Sequence, residues 1–145
     1  MESVIRSFRK NSSDYQQALA LRTEVLRKPL GLQFTETELK KDEEDIHWGL
    51  FKGDSIMACL TLTVVDKKRV KMRQVAVNTN VQGTGLGKQL SGAAEKYAAD
   101  KGFEIVFCHA RETAVGFYKS MGYEVVGDRF VEVNIPHYVM QKRIN

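Results

Sequence analysis

The stretch that most constrains this chain is residues 74–88, QVAVNTNVQGTGLGK, where an apolar strand pattern runs into a glycine-rich loop. Glycines stand at positions 83, 85 and 87, just before an amphipathic helical stripe. Glycine in a helix costs about 1 kcal/mol relative to alanine, so a compensating role is expected. The first amides of a helix lack intrahelical acceptors, carry partial positive charge and bind anions, commonly phosphate. The sequence therefore predicts a strand–loop–helix unit with a phosphate site at the helix N-terminus.

Two well-known phosphate loops fit these glycines poorly. A Walker-type loop needs glycine where Gln82 stands, and serine or threonine where Gln89 follows Lys88. A dinucleotide fingerprint is matched by Gly83 and Gly85, but it needs glycine at the position of Lys88. The dinucleotide fingerprint normally follows the first strand of a doubly wound unit, whereas the loop in this chain follows a predicted hairpin of two strands. Both classes are disfavoured, and another anionic nucleotide stays open as a ligand.

The composition is that of one globular domain over residues 1–145. Hydrophobic residues make up 43% of the chain and charged residues 28%. A net charge of +4 suits an anionic ligand and does not require nucleic acid. Cys59 and Cys108 lie in apolar patterns and are expected to be buried thiols, and no cysteine–histidine cluster predicts a metal site. Without a signal-peptide pattern or a membrane-length apolar run, a cytoplasmic protein is expected.

The predicted elements follow the order β-α-α-β-β-β-α-β-α-β-β, with hairpins and one strand–helix–strand crossover that should be right-handed and parallel. Ser13 and Gln16 form a capping-box pattern for the first helix, which should stop near residues 29–31, and Thr35 and Glu38 form a capping box for the second. Strands are predicted at residues 3–8, 46–51, 55–65, 70–77, 104–109, 122–126 and 130–142, and later helices between the glycine loop and Gly102 and over 111–121.

Two neighbouring strands indicate the layers around the sheet. Residues 55–65, SIMACLTLTVV, are apolar on both faces in their first half, which is typical of a strand in a sheet covered on both sides. In the strand before it, Ile46, Trp48 and Leu50 alternate onto one face. This pattern places Trp48 in the core and leaves His47 pointing outward. The sequence thus predicts one α/β domain with a mixed sheet.

Residues 82–87, QGTGLG, preceded by VAV, resemble motif A of the GNAT superfamily of acyl-CoA-dependent N-acyltransferases, Q/R-x-x-G-x-G/A. Residues 108–142, CHARETAVGFYKSMGYEVVGDRFVEVNIPHYVMQK, are similar to the C-terminal half of a bacterial GNAT branch that includes ElaA-like proteins. That branch carries A-x-x-F-Y-x-x-x-G-F/Y and then E-x-x-I-P-H-x-x-M. The motifs occur in register, and the predicted element order extends the resemblance over essentially the whole chain.

The resemblance implies a single-domain GNAT fold of α/β (α+β) class, with a mixed, mostly antiparallel sheet of six to seven strands. The sheet would be splayed at its centre, between the strands at 70–77 and 104–109, with helices on both faces. The implied activity is acetyl-CoA-dependent N-acetyl transfer, in which a primary amine attacks the thioester directly. The alternative is a non-catalytic acyl-CoA-binding module of the same fold.

Acetyl-CoA is the co-substrate that the resemblance implies. Its pyrophosphate would lie on the backbone amides of residues 83–88, with Gln82 and Lys88 as further donors. Its pantetheine arm would pair with the backbone of Val75 and Val77 like a short extra strand, and a backbone N–H near them would donate to the developing oxyanion. The residues predicted to bind the cofactor are Val75, Ala76, Val77, Gln82, Gly83, Thr84, Gly85, Leu86, Gly87, Lys88, Ala114 and Tyr118.

Tyr118 is the candidate for the leaving-group side of the reaction. In the family, a tyrosine at the matching position often protonates or hydrogen-bonds the thiol. A phenol with an ordinary pKa of about 10 is protonated at neutral pH and can fill this role. The alternative is that Tyr118 merely packs, because it shares an apolar helix stripe with Ala114 and Met121.

Three residues are candidates for substrate contact or for taking the proton from the amine: His109, Glu132 and His137. His109 ends the strand beside the predicted cleft and carries a ring that titrates near neutral pH, but a histidine there is also often structural. Glu132 and His137 belong to the E-x-x-I-P-H tail. Their alternatives are that Glu132 pairs with a base such as Arg129 and that His137 holds the turn at Pro136.

The predicted acceptor is a primary amine, either of a small molecule or of a protein. Arg22, Arg27 and Arg73 are candidates for lining its pocket, with a surface ion pair as the alternative for Arg73. The basic run at 67–71 is expected to be a solvated turn, because no aromatic residues are interleaved with it as in nucleic-acid sites. No nucleic-acid or membrane partner is predicted. A homodimer is open, since many relatives are dimers.

Overall fold

A computed structural model describes residues 2–145, with seven strands in one sheet and four α-helices. The strands are β1 (Ser3–Phe8), β2 (Ile46–Lys52), β3 (Ser55–Val64), β4 (Arg69–Val77), β5 (Ile105–Arg111), β6 (Glu124–Glu132) and β7 (Ile135–Arg143). The α-helices are α1 (Ser13–Arg22), α2 (Glu36–Lys41), α3 (Leu86–Asp100) and α4 (Val115–Ser120). The strand order is β1-β2-β3-β4-β5-β7-β6. The predicted mixed, mostly antiparallel α+β fold is confirmed with seven strands.

The chain divides into two compact units. The first contains the chain up to Thr63 together with Gln74–Ala94, and the second contains Val64–Arg73 with Glu95–Asn145. In the first unit, β1 pairs with β2 and β2 pairs with β3, both antiparallel. One apolar cluster in this unit consists of Phe8, Tyr15, Ala18, Phe51, Ile56, Cys59 and Ala76. One domain over residues 1–145 stays a prediction.

In the second unit, β4 pairs with β5 over Arg69–Lys71 and Ile105–Phe107, which confirms the predicted parallel pairing, and the right-handed crossover stays a prediction. Strand β7 pairs antiparallel with both β5 and β6. Glu95 on α3 is buried, and it accepts hydrogen bonds from Tyr123 Oη at 2.8 Å and Lys142 Nζ at 2.7 Å. These partners offset the cost of burying the carboxylate. The splay of the sheet and the helices on both of its faces stay predictions.

The caps of the first two helices are set by side-chain hydroxyls. Ser12 is the N-cap of α1, and its Oγ accepts a hydrogen bond from the Tyr15 amide at 3.1 Å. The predicted cap at Ser13 with Gln16 is therefore wrong by one residue, because either of two adjacent serines can supply the hydroxyl. The capping box of Thr35 with Glu38 is confirmed at the start of α2.

The first helix does not end cleanly at Arg22. It continues as a π-helical turn over Thr23–Arg27 and a 3₁₀ turn over Lys28–Leu30, and stops where Gly31 adopts a φ of 70°. The predicted stop near residues 29–31 is confirmed.

His47 on β2 is buried, and the prediction that it points outward is wrong. Its ring is 1% exposed, with Nδ1 2.9 Å from Thr61 Oγ1 and Nε2 2.9 Å from the Asp42 carbonyl oxygen. Trp48 is only half-buried. The imidazole can be buried because its two nitrogens are hydrogen-bonded to partners on a neighbouring strand and turn. The alternation of residues within β2 does not predict these partners.

The C-terminal hairpin differs from the prediction of strands at 122–126 and 130–142. Strand β6 continues through Gly127, whose φ of 79° belongs to a register shift between Val126 and Phe130. The turn falls instead at Val133 and Asn134, with φ of 53° and 60°. Gly-Asp at 127–128 resembles a turn in sequence but forms a bulge, which also uses a left-handed glycine.

The segment before α4 is less helical than predicted. Strand β5 runs to Arg111, a 3₁₀ turn covers Glu112–Ala114, and α4 begins at Val115, so the predicted helix over 111–121 is too long. Its end before Gly122, which has a φ of 93°, is as expected. Among the helices of residues 2–145, none is long and apolar enough to cross a membrane. The cytoplasmic location stays a prediction.

Candidate functional site

The glycine loop connects β4 to α3, as the sequence predicts. Residues 82–85 are exposed, and Leu86 is the first residue of α3. Gly83 and Gly85 have φ of 81° and 87°, a region that glycine adopts without penalty. A Cβ at either position would meet no atom within 4 Å. The backbone conformation, not crowding, therefore requires glycine at these positions.

Side-chain hydrogen bonds hold this loop against the end of β4. Gln82 Nε2 donates to the Val77 carbonyl at 3.0 Å, and the Thr84 hydroxyl donates to the Val81 carbonyl. The Asn78 side chain accepts from the Asn80 amide at 2.9 Å. Gln82 therefore has a structural role in the loop, and its contact with a phosphate stays a prediction.

The N-terminal turn of α3 fits a phosphate group. It contains no acidic side chain that would compete for the unpaired amides. Lys88 is exposed in this turn, whereas Leu86 and Gly87 are buried. Main-chain amides and one lysine are thus available to an anion at the start of a helix long enough to have a substantial dipole.

Strand β4 carries a conformational irregularity beside the residues that are predicted to pair with a ligand. Gln74 has a φ of 55°, which is uncommon for a residue with a side chain and costs of the order of 1–3 kcal/mol. Val75 and Val77 follow it with half-buried side chains, and Ala76 is buried. Such strain is often found at binding sites, and here it falls at the start of the Val-Ala-Val run.

Tyr118 lies on α4, 7% exposed, and its hydroxyl is hydrogen-bonded to the thiol of Cys108 on β5. Phe117 and Tyr123 pack edge-on against its ring, with centroids 5.1 and 5.5 Å away. Burial, followed by the neighbouring Cys108, raises the pKa of Tyr118 above that of a free phenol. Burial also raises the pKa of Cys108 to about 12. Both groups therefore keep their protons at neutral pH. Ala114 lies in the 3₁₀ turn just before α4.

The structure brings together the other candidate residues, His109, Glu132 and His137. His109 Nδ1 lies 3.2 Å from Glu132 Oε1 and 3.3 Å from Lys71 Nζ. His137 Nε2 lies 3.7 Å from the second oxygen of Glu132. The Phe130 ring packs edge-on against His109 at 5.1 Å and stacks on His137 at 5.7 Å. One carboxylate thus faces two imidazoles. Within residues 2–145, no group of three or more His, Cys, Asp or Glu is placed to hold a metal ion.

The hydrogen bonds restrict where the protons of the two histidines lie. His137 Nδ1 is 2.7 Å from the Ile135 carbonyl, which only accepts, so Nδ1 carries the proton and Nε2 faces Glu132. His109 Nδ1 lies between a donor, Lys71, and an acceptor, Glu132. A protonated Nδ1 donates to Glu132, and an unprotonated one accepts from Lys71. His109 Nδ1 thus has a possible donor and a possible acceptor beside it, and it can bond only one of them at a time.

The structure also decides between several alternatives. Arg129 pairs with Glu112 at 2.7 Å, so the alternative pairing of Glu132 with Arg129 is wrong. His137 does hold the backbone beside Pro136, because it bonds the Ile135 carbonyl. Lys71 is half-buried beside His109, outside the solvated turn that was expected. The sequence reasoning missed Lys71 and Cys108 as partners.

Tyr118 and the His109 group lie on opposite faces of β5. Cys108, which bonds Tyr118, and His109 are consecutive residues of one strand, and consecutive side chains point to opposite faces. The cross-strand neighbours on β7 agree, since Met140 pairs with Cys108 and Val139 pairs with His109. Proton donors and acceptors are thus available on both faces of the same strand.

A family model for the acetyltransferase (GNAT) domain matches residues 11–144. The chain belongs to the GNAT acetyltransferase superfamily. The uncharacterized N-acetyltransferase YjcF of Bacillus subtilis is 29% identical over 143 residues, which cover 98% of this chain and 99% of the relative. A crystal structure of a candidate N-acetyltransferase from Lactobacillus plantarum has a TM-score of 0.88 at 25% identity and covers 99% of both chains. A GNAT family acetyltransferase from Elizabethkingia anophelis, solved with acetyl-CoA bound, has a TM-score of 0.73 at 12% identity, with 97% of both chains covered.

These similarities confirm the GNAT fold and the superfamily that the motifs predict. The YjcF alignment spans nearly all of both proteins, so the chain matches a whole GNAT relative. Membership places the QGTGLG loop and the F-Y helix in a family whose members bind acetyl-CoA.

Proposed function

We propose that this GNAT chain is an acetyl-CoA-dependent N-acetyltransferase that acetylates a primary amine by direct attack on the thioester. The observation that carries the proposal is the glycine loop at the N-terminus of α3, with two left-handed glycines and no acidic residue in the first helical turn. The acceptor is an amine of a small molecule or of a protein. The C-terminal E-x-x-I-P-H-x-x-M segment supports the ElaA-like branch of the superfamily.

The loop and β4 would hold the co-substrate, which supplies the acetyl thioester when bound. In the proposal, the amides of residues 83–88 and the Lys88 ammonium bind the pyrophosphate. The backbone of Val75 and Val77 pairs with the amides of the pantetheine arm, and an N–H of this run donates to the carbonyl oxygen. Gln82 contributes mainly by fixing the loop to Val77.

Tyr118 would serve the sulfur of the leaving group. Its raised pKa keeps the phenol protonated at neutral pH, so a proton is available at Oη. Its present hydrogen-bond partner, Cys108 Sγ, is itself a sulfur atom, which supports the fit of Oη to a thiol. Proton transfer by a positioned side chain contributes typically about 10²–10⁴-fold in rate.

The His109–Glu132 pair would accept the proton that the amine loses. His109 places an imidazole nitrogen beside this carboxylate, with Nδ1 3.2 Å from Glu132 Oε1. His137 is fixed by the Ile135 carbonyl and lies beside this pair, with Nε2 3.7 Å from the second oxygen of Glu132.

The test is a CoA-release assay with an amine library, followed by Tyr118→Phe. We expect Tyr118→Phe to lower kcat by about 10²-fold or more and to leave the KM for acetyl-CoA within about twofold, because only the proton at Oη is lost. Tyr97→Phe on α3 removes one hydroxyl elsewhere and serves as the control. An unchanged kcat in Tyr118→Phe contradicts the role of the phenol. Acetyl-CoA binding without CoA release from any amine contradicts the enzyme proposal and favours an acyl-CoA-binding module.

A further inference from the structure

We propose that the acceptor amine also carries a carboxylate, and that Arg22 and Arg27 bind this carboxylate beneath Phe34. The inference rests on the proposed N-acetyltransferase function and adds the chemical class of its substrate. All of the residues that carry it belong to the first unit, in and after α1.

Arg22 has hydrogen-bonding capacity that the described residues do not use. It is the last residue of α1, is 1% exposed, and places Nη2 2.8 Å from Asp42 Oδ2. Even so, Nε and Nη1 are buried without a hydrogen-bond partner, and the contact of Nη2 is this ion pair. Burying unpaired donors of a charged group is unfavourable. A guanidinium with free edges is the side chain best matched to a carboxylate.

Asp42 does not use these donors, because its paired oxygen is already engaged. Asp42 Oδ2 accepts the Tyr15 hydroxyl at 2.7 Å and faces Arg22 through the same atom. Asp42 Oδ1 is itself buried without a partner. The neighbouring His47 ring is satisfied, since it bonds both Thr61 and the Asp42 carbonyl. The unmet donors are thus concentrated on the Arg22 guanidinium.

A second arginine and an aromatic ring complete the site. The Phe34 ring centroid lies 4.5 Å from Arg22 Cζ and 4.2 Å from Arg27 Cζ. Arg27 is 6% exposed and donates from Nη2 to Glu38 Oε2 at 3.0 Å. A cation–π contact uses the flat face of a guanidinium, whereas the N–H groups point outward in its plane. Phe34 therefore covers the arginines without using their edges. Arg27 Nη1 donates to the Leu26 carbonyl at 3.3 Å, so the free edge for a carboxylate belongs to Arg22, with the Arg27 charge beside it.

The π-helical turn over Thr23–Arg27 explains why the two arginines share one ring. In an α-helix, residues five apart are rotated by about 140°, because each turn takes about 3.6 residues. In a π turn, the i→i+5 hydrogen bond brings such residues onto nearly the same face. The amide of Lys28 makes this bond to the Thr23 carbonyl. Such turns are rare and frequently occur at functional sites.

The segment over the arginines suits an incoming anion. Residues 28–33, KPLGLQ, are all exposed and contain no acidic side chain. The acidic groups that face the arginines are Asp42 and Glu38, one for each guanidinium. An anion that approaches past the half-buried Phe34 therefore meets no like charge on this segment, and displacing the ring gives it access to the free edges of Arg22.

The experiment compares amines in matched pairs that differ only in the acid group. Omega-amino acids of increasing length, from β-alanine upward, are assayed for CoA release beside their carboxamides. We expect the carboxylate member of the best pair to have a kcat/KM about a hundredfold higher, since a site built around polar contacts rejects an analogue that lacks them. Binding of the same compounds without acetyl-CoA is measured by the shift in Tm.

Variants then locate the effect. Arg22→Lys keeps the charge that Asp42 needs but loses the planar fork, so we expect the KM of the preferred carboxylate substrate to rise about tenfold or more. The carboxamide and acetyl-CoA should keep their KM values within about twofold. Arg6→Lys is the matched control, because Arg6 is also an arginine paired with an acid, Asp14, and placed over a ring, Phe51. Arg6→Lys should retain the wild-type preference.

The outcomes separate the inference from the function on which it rests. Acetylation of amines with equal kcat/KM for carboxylate and carboxamide overturns the inference and leaves the N-acetyltransferase proposal standing. An equal preference in Arg22→Lys and wild type also overturns it. If no amine releases CoA, the proposed N-acetyltransferase function is contradicted, and the Tm measurement tests the carboxylate site by itself. A carboxylate-dependent rise in Tm that Arg22→Lys abolishes supports the site. No shift in Tm overturns it.

Discussion

The His47 ring shows how partners determine the charge of a buried residue in this protein. A backbone carbonyl only accepts, so Nε2, facing the Asp42 carbonyl, carries the proton, and Nδ1 accepts from the Thr61 hydroxyl. Burial is the largest influence and lowers the pKa of His47 below its ordinary value, against the opposing effect of the Asp42 carbonyl. A second proton on Nδ1 would end the bond from Thr61. The folded protein therefore keeps this ring neutral.

This lowered pKa predicts a loss of stability in mild acid. Below the ordinary histidine pKa of 6.5, His47 binds a proton in the unfolded chain but not in the folded protein. The unfolded state then binds more protons, so the free energy of unfolding falls as the pH drops, by at most about 1.4 kcal/mol per pH unit. Urea titrations at about pH 7 and about pH 5 should show a smaller loss for His47→Gln than for wild type. Equal losses in both proteins would show that His47 does not cause the effect.

The glycine loop gives a prediction about backbone conformation. Gly85 has a φ of 87° with open space around it, so Gly85→Ala suffers conformational strain and no clash. We expect the free energy of unfolding to fall by about 1–2 kcal/mol and the affinity for acetyl-CoA to fall with it.

Gly92→Ala is the matched control for this change. Gly92 lies inside α3, also with no atom within 4 Å of a Cβ, and its φ is not positive. We expect this variant to gain about 0.5–1 kcal/mol through helix propensity. Chemical denaturation and calorimetric titration with acetyl-CoA measure both variants. Similar effects of the two substitutions would rule out a special conformation at Gly85.

For single residues, the sequence predicted motifs of neighbouring residues better than contacts between residues that are far apart in the chain. The loop glycines and the E-x-x-I-P-H tail were identified because their spacing is local. The contact of His109 with Lys71 joins residues on different strands, and the bond between Tyr118 and Cys108 joins a helix to a strand. Local patterns do not contain such pairings. The alternation of side chains along β4 and β5 was the one sequence pattern that bears on whether Lys71 and His109 share a face of the sheet.

Among the elements, the β6–β7 hairpin carries the clearest local strain. Its turn uses Val133 at a φ of 53°, where a β-branched side chain is unfavourable, followed by Asn134 at 60°. Tight hairpin turns with two positive φ values favour Asn-Gly and related pairs. The strained turn immediately follows Glu132, which the hairpin presents to His109 and His137.

Relief of this strain should stabilise the protein. We expect Val133→Asn to raise the free energy of unfolding by about 0.5–1 kcal/mol, because asparagine tolerates the left-handed region. Val131→Asn is the control, since Val131 is 68% exposed on β6, close to the turn, and has no positive φ. Thermal and urea unfolding of the two variants give the comparison. A loss of stability in Val133→Asn equal to that in Val131→Asn would contradict the assignment of strain.

Element boundaries were predictable where the stop signals are steric. The end of α1 near Gly31, the end of α3 near Gly102 and the capping box at Thr35 were all identified from the sequence. The hairpin turn was not, because Val133 is a poor turn residue, whereas the Gly-Asp pair at 127–128 is a good one that the fold uses for a bulge. Pairing between strands overrode the local preference there.

For the molecule as a whole, acetyl-CoA should act as a stabilising ligand. The chain has a net charge of +4, and the loop offers amides and a lysine to a polyanion. At about 100 times its Kd, a ligand that binds only the folded state adds about 2.7 kcal/mol to the free energy of unfolding. Thermal-shift measurements with acetyl-CoA should therefore show a clear rise in Tm, with little change for ATP or NAD. A rise with NAD or ATP and none with acetyl-CoA would overturn the cofactor assignment.

The bulge at Gly127 has a consequence for solubility. Strand β6 closes one end of the strand order and exposes Val125, Val126 and Val131 along an edge to which another chain could add and begin an aggregate. The shift between Val126 and Phe130 breaks that edge into two short pieces, and Asp128 and Arg129 put charges at the break. A variant with a straight, uncharged β6 would therefore form fibrils or precipitate at concentrations where the natural chain stays dispersed.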